Sequence, residues 1–319
     1  MRTLIVGAGA IGGFFGSRLI AAGRDVTFLA RENRAESLRR DGLRIAGRLP
    51  GAGPDAVETF SGIRAVSAGD HDAYGSFDLL LIAVKSYALH GVMEDIAPFV
   101  GPETTILPLL NGLKHIDTLT ERYGSATVIG GLCVASSHLT GDGTVQLLAP
   151  GTSMTYGELD GSVTDRIRAV DDTLRVPDTD GAEYTVKLSD HIVAEMWVKW
   201  VFLASAGAVT TLMGGPVGRV AATPTGPETA RAIVEECAAV AAASGYPMSE
   251  RVLDAAIERV TEQGSPFTTS MYRDLEEGRP IEVDSVIGDL VDRGSALGVP
   301  TPLLGACYAR LCVYASSRE

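Results

Sequence analysis

Three glycines near the N-terminus, Gly7, Gly9 and Gly12, stand at the spacing G-x-G-x-x-G, with Ala8, Ala10 and Ile11 between them. The triplet follows the apolar run Thr3-Leu4-Ile5-Val6 and opens a segment of helical pattern from about Gly9 to Ala22. In that context the pattern cradles a dinucleotide. The first glycine permits the tight turn, the second lets the backbone approach a pyrophosphate, and the third allows close packing of helix on strand. The helix N-terminus adds free N–H groups and a positive partial charge for the phosphates. Further on, where an Asp or Glu would bind a ribose 2′-hydroxyl, the second strand ends in Arg31. A guanidinium suits a 2′-phosphate, so the expected cofactor is NADP(H). Two other readings stay open: Arg31 as a solvated loop residue, and Glu32 beside it as a partner for NAD.

Other polar residues stand where their type or place needs a reason. Lys199 sits inside Met196-Trp197-Val198-Lys199-Trp200-Val201, where a charge is costly without a purpose. The alternative is a lysine whose stem packs while its ammonium reaches water. Lys85 and Asn111 end apolar strands, and doubly wound sheets place ligands at such ends. Asn111-Gly112 reads equally as a simple turn. Ser270 and Glu282, taken alone, read as ordinary N-cap and helix-surface residues.

The elements that must position these groups change character along the chain. In the first half, strand-like runs at Asp25–Ala30, Phe77–Val84, Thr104–Leu110 and Thr127–Val134 alternate with helical segments at Ala35–Arg40, Leu89–Phe99 and Ile116–Tyr123. Continuous apolar strands alternating with helices predict an α/β fold, a Rossmann doubly wound parallel sheet covered on both faces. A β-rich segment from Thr144 to Tyr156, a helix near Thr164–Leu174 and a strand near Glu183–Leu188 follow. From Ser189 helical periodicity takes over: Ile192–Leu212, Pro227–Ala243, Glu250–Thr261, Glu282–Leu297 and Pro302–Ser316, with Gly and Pro between them. The expected division is an NADP-binding domain over 1–188 and an all-α substrate domain over 189–319.

At 319 residues two domains are the default. A net charge of -13 opposes binding to nucleic acid or an anionic membrane surface. A homodimer stays open. Cys133, Cys237, Cys307 and Cys312 show no C-x-x-C pair, which fits reduced thiols in a cytoplasmic protein, and the histidines have no ligand spacing, so no metal is expected. The N-terminal apolar run lacks a clean cleavage site and carries the glycine pattern, so it is not read as a signal peptide. The uncharged stretch Trp200–Gly218 approaches membrane-spanning length but holds Ser205, Thr210, Thr211 and Pro216, and is read as a buried core helix.

Together these patterns resemble the ketopantoate reductase (2-dehydropantoate 2-reductase) family along nearly the whole chain. The likeness is carried by GAGAIG, Val84-Lys85, Leu110-Asn111-Gly112, Trp197-Val198-Lys199, and Ser270-Met271 with Glu282-Val283-Asp284. The resemblance implies that Lys199 is the general acid, and that Asn111 bridges nicotinamide and substrate. It also implies that Lys85 faces the cofactor, that Glu282 holds the reacting end or the ribose of the cofactor, and that Ser270 binds the substrate acid. The implied activity is NADPH-dependent reduction of ketopantoate to pantoate for coenzyme A synthesis. The chain departs from the family pattern at three asparagines, four and eight positions after the lysine and three before the serine, where it has Leu203, Gly207 and Phe267. Leu203 and Phe267 add apolar surface and Gly207 is expected to add room. The alternative is therefore the same chemistry on a bulkier, more apolar 2-oxo acid, ketone or imine. A non-catalytic NADPH-binding regulator is the third reading, opposed by the retention of Lys199, Ser270 and Glu282.

Overall fold

The computed structural model describes residues 1–47, 56–149, 151–176 and 184–317. The chain forms two compact units: Met1–Leu110 with His115–Val193, and Asn111–Lys114 with Ala194–Glu319.

Five strands build the main sheet of the first unit: β1 (Arg2–Val6), β2 (Asp25–Leu29), β3 (Ala65–Val66), β4 (Leu79–Ile82) and β5 (Thr105–Pro108). Their order is β3-β2-β1-β4-β5, and every neighbouring pair is parallel. This is the doubly wound order, in which the chain reverses its direction of travel between β1 and β4 and a crevice opens at their C-terminal ends. The strands are apolar on both faces because both faces are buried: Leu4, Ile5, Leu79, Leu80, Leu81 and Ile82 are fully enclosed.

Helix Ala10–Ala21 fixes the end of β1. Phe15 and Leu19 on its inner side are fully buried, each burial stabilising by roughly 1.5–3 kcal/mol. Gly16 lets the helix lie against the Phe28 ring of β2, where any side chain would overlap the ring carbons.

The remaining strands correct the expected sheet. Residues 127–134 were expected to extend the parallel sheet, yet only a single parallel bridge joins Val128 to Ile106. The strand proper, Gly130–Val134, pairs antiparallel with Thr152–Gly157 in a separate three-stranded sheet that ends in Tyr184–Leu188. Glu183, expected to begin that last strand, lies outside the described residues. A further four-stranded sheet takes Val57–Phe60, Leu43–Gly47, Val145–Leu147 and Ser137–Leu139 in that order.

The second unit is helical. Ile192–Met213 is its longest helix, followed by Val217–Ala221, Gly226–Ala243, Glu250–Thr261, Ser270–Glu276, Asp289–Leu297 and Pro302–Ser316. By length and composition Ile192–Met213 could cross a membrane, but 61% of its most apolar stretch is buried inside the fold, which is how a core helix behaves. Glu236 accepts from the backbone N–H groups of Leu303 and Leu304 (3.0 and 2.9 Å), satisfying the first turn of the last helix and opposing its dipole. The expected helix over 282–297 opens differently: Asp284–Gly288 is a π turn that passes into an α-helix at Asp289.

Candidate active site

In the first unit the fingerprint loop is closed on one side and open on the other. Gly7 has φ +96°, a conformation L side chains rarely adopt, and a side chain there would sit 2.7 Å from Val84 Cγ1. Its N–H donates to the Leu29 carbonyl at 2.9 Å, tying the loop to the end of β2. A side chain at Gly12 would run into the Gly7 carbonyl. At Gly9, by contrast, a side chain would meet nothing within 4 Å. Gly9 is also the N-cap of helix Ala10–Ala21, with no side chain to cap it, so the first-turn N–H groups of Ala10, Ile11 and Gly12 are left for an outside acceptor. A loop with its glycines forced inward and its N–H groups presented outward fits a pyrophosphate.

Ala8 is buried, Arg31 is exposed as the N-cap of helix Glu32–Asp41, and Lys85 is exposed three residues past β4. Arg34, which the sequence reading passed over, lies against this loop: its Nε donates to the Ala8 carbonyl at 3.2 Å.

In the second unit three elements are locked around the long helix. Lys199, half-buried, shares a face with Leu203 and Gly207, because steps of four residues nearly close a helical turn. Next to the lysine, Trp200 is fully buried and donates from Nε1 to the Val286 carbonyl at 2.9 Å. That carbonyl belongs to the π turn that follows Glu282, and π turns leave backbone groups outside the regular ladder. Glu282 is itself 8% exposed, and the Ser285 hydroxyl returns to its carbonyl at 3.3 Å.

The Asn111–Lys114 segment counts with this unit for a visible reason. Gly112 has φ +82°, and any side chain on it would collide with the Ser285 carbonyl. The Trp200 indole nitrogen lies 3.7 Å from the same point. Asn111, Trp200, Ser285 and Val286 therefore form one packed locality, with Lys199 and Glu282 as sequence neighbours of its members.

The third element carries Ser270, which is exposed at the first position of helix Ser270–Glu276. Thr269 caps that helix, accepting from Tyr272 N–H at 3.2 Å, and its hydroxyl meets that of Thr210 at 3.2 Å.

The pocket expectation needs correction at Gly207. The missing side chain leaves no opening, since Met271 Cε fills the place, 2.8 Å from where a Cβ would stand. Met271 is buried, and a flexible thioether side chain suits irregular gaps. Phe267 is stacked on Phe202 (6.1 Å between centroids, 27° between planes), with the Arg259 guanidinium 4.7 Å over its ring. Leu203 and Phe267 are both partly exposed. The face is apolar at these positions but not enlarged.

Comparison with known proteins decides the family. The model for "Ketopantoate reductase PanE/ApbA" matches residues 3–161 and that for its C-terminal part matches 191–314. The chain belongs to the ketopantoate reductase family of oxidoreductases. It is 33% identical, over the full length of both chains, to the uncharacterized oxidoreductase YkpB of Bacillus subtilis. It is 26% identical to the 2-dehydropantoate 2-reductase of Mesorhizobium japonicum, covering 97% of this chain and 96% of that one. The crystal structure of 2-dehydropantoate 2-reductase from Geobacter metallireducens superposes with a TM-score of 0.83 at 26% identity, covering all of both chains.

Within this family reading, three residues of structural weight were not given roles from sequence. Met271 lies inside a family pattern and Trp200 directly follows one, but neither carried an expectation of its own. Arg34 had a signal that could have been used: it is a second cation in the first turn of a helix, where a cation is unfavourable.

Proposed function

We propose that the protein is an NADPH-dependent reductase of a 2-oxo acid, converting the carbonyl to a hydroxyl with Lys199 as proton donor. The observation that carries this reading is the locality around Trp200. Its indole holds the π turn after Glu282, while Gly112 seats the Asn111 loop on the same turn. Asn111 and Glu282, from distant parts of the sequence, are thereby next in sequence to residues packed at the helix that carries Lys199.

Gly7–Gly12 would hold the pyrophosphate on the helix N-terminus, Arg31 would read the 2′-phosphate, and Lys85 and Glu282 would contact the cofactor. When bound, the nicotinamide supplies the hydride. Lys199 then carries two tasks. Its cationic ammonium draws electron density toward the carbonyl oxygen, and it donates a proton to that oxygen as negative charge develops there. Asn111 orients the carbonyl, and Ser270 donates to the substrate carboxylate.

Two partly exposed apolar side chains, Leu203 and Phe267, favour a second reading of the substrate. A site with leucine and phenylalanine in place of amides pairs poorly with hydroxyl groups, so a 2-oxo acid with an apolar substituent competes with ketopantoate. Met271 behind Gly207 limits how large that substituent can be. The test is a steady-state panel following NADPH oxidation with ketopantoate, apolar 2-oxo acids of graded size and a cyclic imine. Turnover of a 2-oxo acid supports the proposal, and its absence with every member while the imine reacts would overturn it.

A further inference from the structure

Arg34 carries a buried guanidinium nitrogen that finds no hydrogen-bond partner among the described residues. It stands in the first turn of helix Glu32–Asp41, two residues after Glu32, and Arg31 is the N-cap of the same helix. Two guanidinium groups thus occupy the end of a helix that already carries positive partial charge. The one acid of that turn, Glu32, pairs with Arg39 at 3.2 Å instead.

The Arg34 guanidinium is half-buried and wedged between two backbones. On one side its Nε donates to the Ala8 carbonyl of the fingerprint loop at 3.2 Å. On the other lies Gly143, with φ +81°, where a side chain would stand 2.5 Å from Nη1. Its Nη2 is buried with no hydrogen-bond partner. An unpaired buried donor of a charged group is an expensive arrangement. The nearby acid is committed elsewhere: Asp142 pairs with Arg44 at 2.9 Å and accepts from Thr144 N–H at 3.2 Å. Burial first, and then the neighbouring Arg44, lower the Arg34 pKa, which is the signature of a cation lacking its counter-ion.

We propose that Arg34 is a second reader of the adenosine 2′-phosphate, its half-buried guanidinium pairing with a phosphate oxygen beside Arg31. This rests on the NADP(H) reading above and adds a residue and a geometry to it. Arg31 is exposed, whereas Arg34 is already held by the loop that would receive the pyrophosphate. Pre-positioning of this kind lowers the ordering cost of binding. It also couples the two anionic ends of the ligand through one side chain, by way of the Ala8 carbonyl.

The test uses the full chain and needs no turnover: calorimetric binding of 2′,5′-ADP and of 5′-ADP to the wild type, Arg34→Gln and Arg34→Lys, with thermal unfolding to confirm that each variant is folded. The expected result for Arg34→Gln is a loss of about ten- to a hundredfold for 2′,5′-ADP with little change for 5′-ADP. Arg34→Lys, which keeps the charge, should recover part of that loss. Equal losses for both nucleotides would show that Arg34 acts on the pyrophosphate loop alone, and no loss for either would remove it from the site; both overturn the proposal. A wild type that binds the two nucleotides equally well would instead overturn the NADP(H) reading itself, and the role of Arg34 with it.

Discussion

The indole Nε1 of Trp200 donates to the carbonyl of Val286 at 2.9 Å, a contact between residues 86 positions apart in sequence. It joins the helix that carries Lys199 to the turn that follows Glu282, and both of its atoms are buried. Trp200→Phe would keep most of the packing and leave that carbonyl without its donor, a loss of about 1–3 kcal/mol. The expected outcome is a lower Tm and a kcat reduced by about tenfold, with nicotinamide-dinucleotide affinity near the wild-type value. Unchanged turnover in a folded Trp200→Phe protein would mean that the turn is not positioned by this bond.

Gly112 makes the companion prediction. Its φ of +82° and the Ser285 carbonyl directly in the path of any side chain leave no substitute for glycine. Gly112→Ala should destabilise the protein by roughly 1–3 kcal/mol and displace Asn111, lowering kcat/KM. If Gly112→Ala unfolds at the wild-type temperature with full activity, the Asn111 loop is not seated where its contacts indicate.

Gly207 and Met271 should be energetically coupled. A side chain at Gly207 meets Met271 Cε at 2.8 Å, so Gly207→Ala alone costs overpacking of about 1–3 kcal/mol, and Met271→Ala alone leaves a cavity costing about 2–5 kcal/mol. The double variant should be more stable than the sum of the two predicts, measured by denaturant unfolding. Simple additivity would place Met271 away from Gly207. For substrate preference, Leu203→Asn is the variant expected to favour ketopantoate, because position 203 is partly exposed whereas Met271 fills the place beside Gly207.

Asp142 sets a pH dependence. The Thr140 hydroxyl, and then the Thr144 N–H, hold its carboxyl down at about 2, against an ordinary value of 3.8. A depressed folded-state pKa contributes stability that is present above the unfolded value and is lost as pH falls through the folded one. The stability difference between wild type and Asp142→Asn should therefore stay constant from neutral pH down to about 5, and close as pH falls from about 4 to 2. Closure above pH 5 would contradict the hydrogen bonding in the Thr140–Thr144 turn.

How much of this was legible in sequence depended on whether the signal was local. The glycine fingerprint, β1, β2, β4, β5 and the long C-terminal helices announced themselves by spacing and periodicity. β3 did not: two residues, Ala65-Val66, carry no pattern, and they are a strand only because β2 pairs with them. The 127–134 run read as a parallel strand because apolar composition does not encode pairing direction. Gly207 read as space because a sequence cannot show which distant side chain fills a gap. Arg34 was visible as a residue but not as a cost, since its orphaned nitrogen and its bond to Ala8 arise only when the helix and the loop fold together.

Proton donation by Lys199 is tested most directly by comparing wild type with Lys199→Ala at saturating NADPH and the best 2-oxo acid of the panel, alongside NADPH affinity by fluorescence titration. The expected result is a kcat lower by roughly two to four orders of magnitude, with the NADPH dissociation constant essentially unchanged. A Lys199→Ala protein that keeps most of its turnover, or one that loses NADPH affinity in proportion to its activity, would contradict it.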